Sequence, residues 1–95
     1  MITKYAVFTR HAHERLRECN ITIAKASWML YSSEVDDIPK DIRKYKREKY
    51  GADSLHLRYG TVLFTLVPAV DKYTGDDIYL VLSVFDQNMS RGAKL

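Results

Sequence analysis

The spacing of apolar residues changes at Gly51, and this change constrains the fold more than any other feature of the chain. Before Gly51, apolar side chains recur every three or four residues, which is the spacing of one face of a helix. After Gly51, segments rich in β-branched and aromatic residues predict strands, and the first of them alternates. Helices followed by a run of strands indicate an α+β fold.

Two short helices are predicted near the start of the chain, after a short strand over residues 4–8. Thr9 is the expected N-cap of the first helix, and Leu16 lies on the apolar stripe of that helix. Asn20 tolerates the left-handed backbone in which helices often end. Thr22 can then cap the second helix. A connection this tight predicts a helical hairpin.

The segment that follows is strongly basic, and its structure has two interpretations. Pro39 suits the first turn of a helix and Gly51 suits its end, which favours a third helix over residues 39–50. The apolar anchors of this helix are few, so a loop is the alternative. Asp36 and its neighbour Asp37 are interpreted as capping residues.

Strands are predicted over residues 55–59, 61–67 and 78–85, with turns between them, and together they form an antiparallel meander. The polar tail, residues 87–95, is expected to be loose. Three further residues are expected in the core: Cys19, Trp28 and Phe85.

Length and composition bound the class of protein. The 95 residues are the size of one domain, and a net charge of +3 permits nucleic-acid binding without requiring it. The single Cys19 excludes an intramolecular disulfide. No apolar run approaches the roughly 20 residues that span a bilayer, and the start lacks the apolar stretch of a secretory signal. We therefore expect a cytoplasmic protein with no membrane partner.

The first predicted helix carries candidate catalytic residues. His11 and Arg15 are four residues apart and share one helix face. RNA cleavage without a metal needs a proton-transfer group and a cation that offsets charge on phosphorus, and histidine and arginine supply these. Arg10, on a neighbouring face, is a candidate for binding nucleic acid. The alternative is a solvated charged face. His11 and His13 do not converge on a metal, and we expect no metal and no cofactor.

Two later segments add candidate residues. Between Lys40 and Lys49 there are six basic and two acidic residues, which can neutralise phosphates, and an interleaved tyrosine can stack on a base. In the first predicted strand of the meander, His56 and Arg58 share one face, opposite Leu57. A solvated helix and an ordinary polar sheet face are the alternatives. The nucleic-acid-binding candidates of the basic segment are Lys44, Tyr45, Lys46, Arg47 and Lys49.

The stretch FTRHAHERLRECNIT, residues 8–22, resembles the opening of a family of small bacterial and archaeal proteins in the RelE/ParE-like toxin superfamily. That superfamily lies within the barnase–EndoU–colicin–RelE type of ribonuclease fold. Cys19 and Asn20 stand where the family has Arg-Gly, and the segment 34–53 is longer and more basic than the family's. The likeness extends patchily over residues 54–86. The matching residues of the motif are His11, Ala12, Arg15, Ile21 and Thr22.

This resemblance implies a RelE-like fold, a helical hairpin packed on one face of a small, twisted, mainly antiparallel sheet. It also implies a metal-independent endoribonuclease toxin that acts on RNA, alone or on the ribosome, and that an antitoxin protein neutralises. His11 would then be the acid or base, Arg15 and Arg58 phosphate clamps, and His56 a second proton-transfer group. The alternatives are a non-catalytic protein- or nucleic-acid-binding module on the same fold, and an assembly protein that forms a homodimer or a larger oligomer.

Overall fold

A computed structural model describes residues 5–36 and 39–88 of the chain, and these residues have an α+β architecture. Residue 37, the second predicted capping residue, and residues 89–95 of the predicted tail lie outside the described residues. The elements follow one another along the chain as β1 (Tyr5–Phe8), α1 (Arg10–Glu18), α2 (Ile23–Tyr31), β2 (Glu34–Val35), α3 (Lys40–Tyr50), β3 (Leu55–Tyr59), β4 (Val62–Val70) and β5 (Asp77–Asp86).

The five strands form one mixed sheet in the order β1-β5-β4-β3-β2. The strands β3, β4 and β5 pair antiparallel, which confirms the predicted meander. At one edge β1 pairs parallel with β5, so the first strand of the chain lies beside the last. At the other edge β2 pairs antiparallel with β3. This strand was not predicted from the sequence, because two residues are too few to show a strand pattern.

The helical hairpin forms as predicted, and each of its helices begins at a threonine N-cap. Thr9 accepts a hydrogen bond from the backbone N–H of Ala12 at 3.2 Å, and Thr22 accepts one from Lys25 at 3.1 Å. Asn20 adopts a φ of 58°, the left-handed conformation that turns the chain from α1 into α2.

The core lies between this hairpin and one face of the sheet. Leu16 of α1 and Leu30 of α2 are buried against strand residues that alternate onto that face. At 25 cal/mol per Å², each such side chain contributes about 1.5–3 kcal/mol when fully buried. The largest fully buried side chains are Phe64, Leu16, Leu30, Leu57, Leu66, Val81 and Val84.

Three residues expected in the core lie elsewhere. Trp28 is 56% exposed, because it lies on the flank of α2, where its ring meets that of Tyr59 edge-on at 5.2 Å. Phe85 is 36% exposed, since it alternates with the buried Val84 and so lies on the sheet face opposite the hairpin. Cys19 is half-buried as the C-cap of α1.

The basic segment is the helix α3 rather than a loop. Pro39 stands at its N-cap, and its C-cap Gly51 has a φ of 105°, a conformation that favours glycine. Every side chain of α3 remains at least partly exposed, so the helix lies on the surface. Within the described ranges, none of the helices is long and apolar enough to cross a membrane.

Candidate functional site

The strand β3 divides its side chains between the two faces of the sheet, as its alternation predicts. Leu57 is fully buried under the helical hairpin. His56 and Arg58, its neighbours in sequence, therefore lie on the opposite face, which neither α1 nor α2 covers. The helix α3 lies near β2 and β3, since residues of all three elements line one pocket.

A surface pocket of about 180 Å³ lies where α3 meets β2 and β3; we call it the α3–β3 cleft. Pockets for drug-sized ligands have volumes of roughly 300–1,000 Å³. The cleft therefore suits a small group such as a phosphate with part of its sugar. The residues that line it are Val35, Asp36, Arg43, Arg47, Ser54, Leu55 and His56.

His56 is held between two hydroxyl groups. Its Nε2 lies 3.2 Å from Oγ of Ser54, a residue that lines the cleft, and its Nδ1 lies 3.5 Å from Oγ1 of the buried Thr65. Thr65 can accept a hydrogen bond from an N–H at Nδ1. Nε2 is then left as the hydrogen-bond acceptor on the cleft side.

The surroundings of His56 favour the neutral imidazole. Burial lowers the pKa of His56 below its ordinary value, and the positive charges of Lys46 and Arg43 lower it further. The carboxylate of Asp36 acts in the opposite direction without cancelling these effects. Because the ordinary pKa of histidine is about 6.5, His56 is mostly unprotonated at pH 7.

Asp36 connects the edge strand β2 to the cleft. Its backbone N–H donates to the carbonyl oxygen of His56 at 2.9 Å, which continues the pairing of β2 with β3. Its Oδ1 lies 3.6 Å from Nε of Arg58, and its side chain is 13% exposed. The capping role predicted for Asp36 is therefore wrong: α3 has Pro39 at its N-cap and no side-chain capping bond.

The helix α3 turns only part of its positive charge toward the cleft. Arg43 and Arg47 are one helical turn apart and both line the cleft, and Lys46 is close enough to lower the pKa of His56. Arg43 was missing from the predicted site, although its spacing of four residues from Arg47 indicated a shared face. Four predicted binding residues of α3 do not line the cleft: Lys44, Tyr45, Lys46 and Lys49.

The candidate residues of α1 lie apart from this cleft. Arg15 donates from Nε to the carbonyl oxygen of Val84 at 3.2 Å and pairs with Glu18 at 2.7 Å. Arg10, fully in solvent, pairs with Glu14 at 3.5 Å, and His11 is exposed.

Because α1 packs on the covered face of the sheet, the structure does not bring His11 and Arg15 together with His56 and Arg58. Among the residues that the structure describes, no three His, Cys, Asp or Glu side chains lie close enough together to hold a metal ion.

Comparison of the chain with known protein families, curated proteins and solved structures gives no match. A function for this protein therefore has to follow from its own residues, and the α3–β3 cleft is where charged and titratable groups converge.

Proposed function

We propose that this protein is a metal-independent endoribonuclease that holds the RNA backbone in the α3–β3 cleft. The observation that carries the proposal is the half-buried imidazole of His56 in a surface cleft lined by arginines, where burial and the positive charges of Lys46 and Arg43 lower its pKa. Two arginines line the cleft with it, Arg58 follows on the same face of β3, and Lys46 is near. Arginine matches the two free oxygens of a phosphate with its planar fork.

The proposed reaction uses His56 for proton transfer and the arginines for charge stabilisation. Nε2 of His56 takes the proton of a ribose 2′-hydroxyl, and that oxygen attacks the adjacent phosphorus. The bond from phosphorus to the 5′-oxygen breaks, this oxygen takes a proton from water, and the protonated His56 returns its proton to the hydroxide that remains. The products are a 2′,3′-cyclic phosphate and a 5′-hydroxyl. Arg43, Arg47 and Arg58 offset the negative charge that builds up on the phosphoryl oxygens during attack.

A RelE-like toxin role is part of the same proposal. The capped helical hairpin on one face of the sheet supports it, because this is the arrangement that the first-helix motif implies. The substrate would then be free RNA or RNA on the ribosome in the cytoplasm, and an antitoxin protein would be the partner. In this proposal His56, and not His11, is the general base, because the cations Lys46 and Arg43 lie near His56.

The test is cleavage of a mixed-sequence RNA, free and on purified ribosomes, in the presence of EDTA. His56→Gln keeps hydrogen-bonding capacity but cannot act as a base at neutral pH, so we expect cleavage to slow by at least about a hundredfold. The matched control, His11→Gln on α1, should cleave like the wild type. Full activity of His56→Gln, or cleavage by neither the wild type nor the control on either substrate, would contradict the proposal.

A non-catalytic RNA-binding module is the second candidate function. It is favoured because groups in and beside the cleft already have partners. Both ring nitrogens of His56 face hydroxyls, and Arg58 pairs with Asp36. Wild-type protein that binds RNA without cleaving it, and whose expression leaves cell growth unaffected, would establish this candidate over the nuclease.

A further inference from the structure

We propose that Asp36 is a built-in competitor of phosphate in the α3–β3 cleft: the entering anion displaces its carboxylate from Arg58. This inference rests on the proposed binding of the RNA backbone in the cleft. The carboxylate of Asp36 thereby weakens the binding of anions in the cleft and sets their affinity.

The charges around the cleft carry the argument. Asp36 supplies the one carboxylate among the described residues that line the cleft, and Arg43 and Arg47 line it too. The side chain of Asp36 is 13% exposed, so water screens its charge only weakly. A phosphate that enters the cleft therefore meets a negative charge as well as the positive ones.

The geometry of the ion pair shows how the exchange can occur. Nε of Arg58 and Oδ1 of Asp36 are 3.6 Å apart, which is longer than the 2.7–2.9 Å of a strong charge-assisted hydrogen bond. The Arg58 side chain is 43% exposed, so a ligand can reach its guanidinium. Carboxylate and phosphate present similar pairs of oxygens to this group, and the one excludes the other from the same donors.

A purely structural role for Asp36 predicts the opposite result. If the carboxylate served to hold Arg58 in place for phosphate, its removal would weaken binding. The two roles can be separated because the backbone N–H of Asp36, not its side chain, bonds to the carbonyl of His56. Asp36→Asn therefore removes the charge and retains the pairing of β2 with β3.

The experiment compares Asp36→Asn with Asp76→Asn, which removes the same charge from the exposed turn before β5. Two probes are used: inorganic phosphate, followed by the rise in Tm that it causes, and a mixed-sequence RNA, followed by its Kd. We expect Asp36→Asn to bind both about fivefold more tightly at low salt, since one nearby repulsion is removed. The Asp76→Asn control should bind like the wild type.

Arg58→Gln completes a double-mutant cycle. If Asp36 competes for Arg58, the gain from Asp36→Asn shrinks towards zero in the Arg58→Gln background. Unchanged or weaker phosphate binding by Asp36→Asn would overturn the inference, even where RNA cleavage by the wild type upholds the proposed function. A gain with phosphate but no binding of RNA by any variant would uphold the competition at Asp36 and overturn the proposed function.

Discussion

His56 lies half-buried beside the cations of α3, and burial together with these charges lowers the pKa of its imidazole. The alternation of β3 turns the ring away from the core, and the hydroxyls of Ser54 and Thr65 fix its orientation. Burial and the charges of α3 together keep it unprotonated. The strand pattern predicted the face on which His56 lies, but its approach to Thr65 of β4 and to Lys46 of α3 depends on how these elements pack against β3.

The lowered pKa of His56 predicts a dependence of stability on pH. The unfolded chain, in which histidine has a pKa of about 6.5, binds the proton more readily than the folded protein. The stability that this group contributes is therefore full above about pH 6.5 and is lost as the pH falls through the lowered folded pKa.

Urea unfolding from pH 7.5 to 5 measures this loss. The free energy of unfolding of the wild type should decrease more steeply on acidification than that of His56→Gln. Parallel curves for the wild type and His56→Gln would contradict the lowered pKa.

At the scale of elements, α3 decides what the open face of the sheet can bind. Pro39 and Gly51 favour a helix that begins and ends at these residues, although the segment has few apolar anchors. In the structure every side chain of α3 is at least partly exposed. Two arginines one turn apart face the cleft, while Tyr45, 61% exposed, lies off it. One side of the helix, with Arg43 and Arg47, faces the cleft, and the side with Lys44 and Lys49 faces solvent.

The two edges of α3 should differ in how they affect RNA binding. Each phosphate contact on single-stranded RNA contributes about 0.7 to the slope of log K against log salt concentration. The double variant Arg43→Gln with Arg47→Gln should lower this slope by about 1.4 and weaken binding.

The matched control is Lys44→Gln with Lys49→Gln, which removes the same net charge from residues outside the cleft. We expect it to leave the slope close to that of the wild type. An equal decrease in both double variants would show that the overall charge of α3, rather than the cleft, determines binding.

At the scale of the whole molecule, one core joins the helical hairpin to β3, β4 and β5. Leu16, fully buried in the last turn of α1, packs in the same cluster as Phe64 of β4. The parallel pairing of β1 with β5 places the first strand of the described chain beside the last. Loosening the hairpin should therefore unfold the whole domain and not the helices alone.

Leu16→Ala should lower the free energy of unfolding by about 2–5 kcal/mol, the range for truncating a buried leucine. Circular dichroism and the fluorescence of Trp28 should report a single transition at the same urea concentration. Ile23→Ala, at a position 42% exposed, is the control and should cost much less. Separate transitions by the two probes would show that the domain does not unfold as one cooperative unit.

By itself the sequence determined whatever depends on residues close together in the chain. The threonine caps, the left-handed Asn20, the helix ended by Gly51 and the alternation of β3 all follow from spacings of a few residues, and the structure confirms each of them. The α+β class follows too, because it depends only on the order of these local patterns.

Only the tertiary structure decided which of these elements meet. The parallel partner of β1, the exposure of Trp28 and the position of Asp36 beside Arg58 depend on packing between segments far apart in sequence. Local patterns do not encode such contacts, because an apolar side chain can be buried against many different residues and a charged one can pair with many different groups. The α3–β3 cleft is of this kind: its groups are spread over Val35–His56, and the pairing of β2 with β3 brings them to one place.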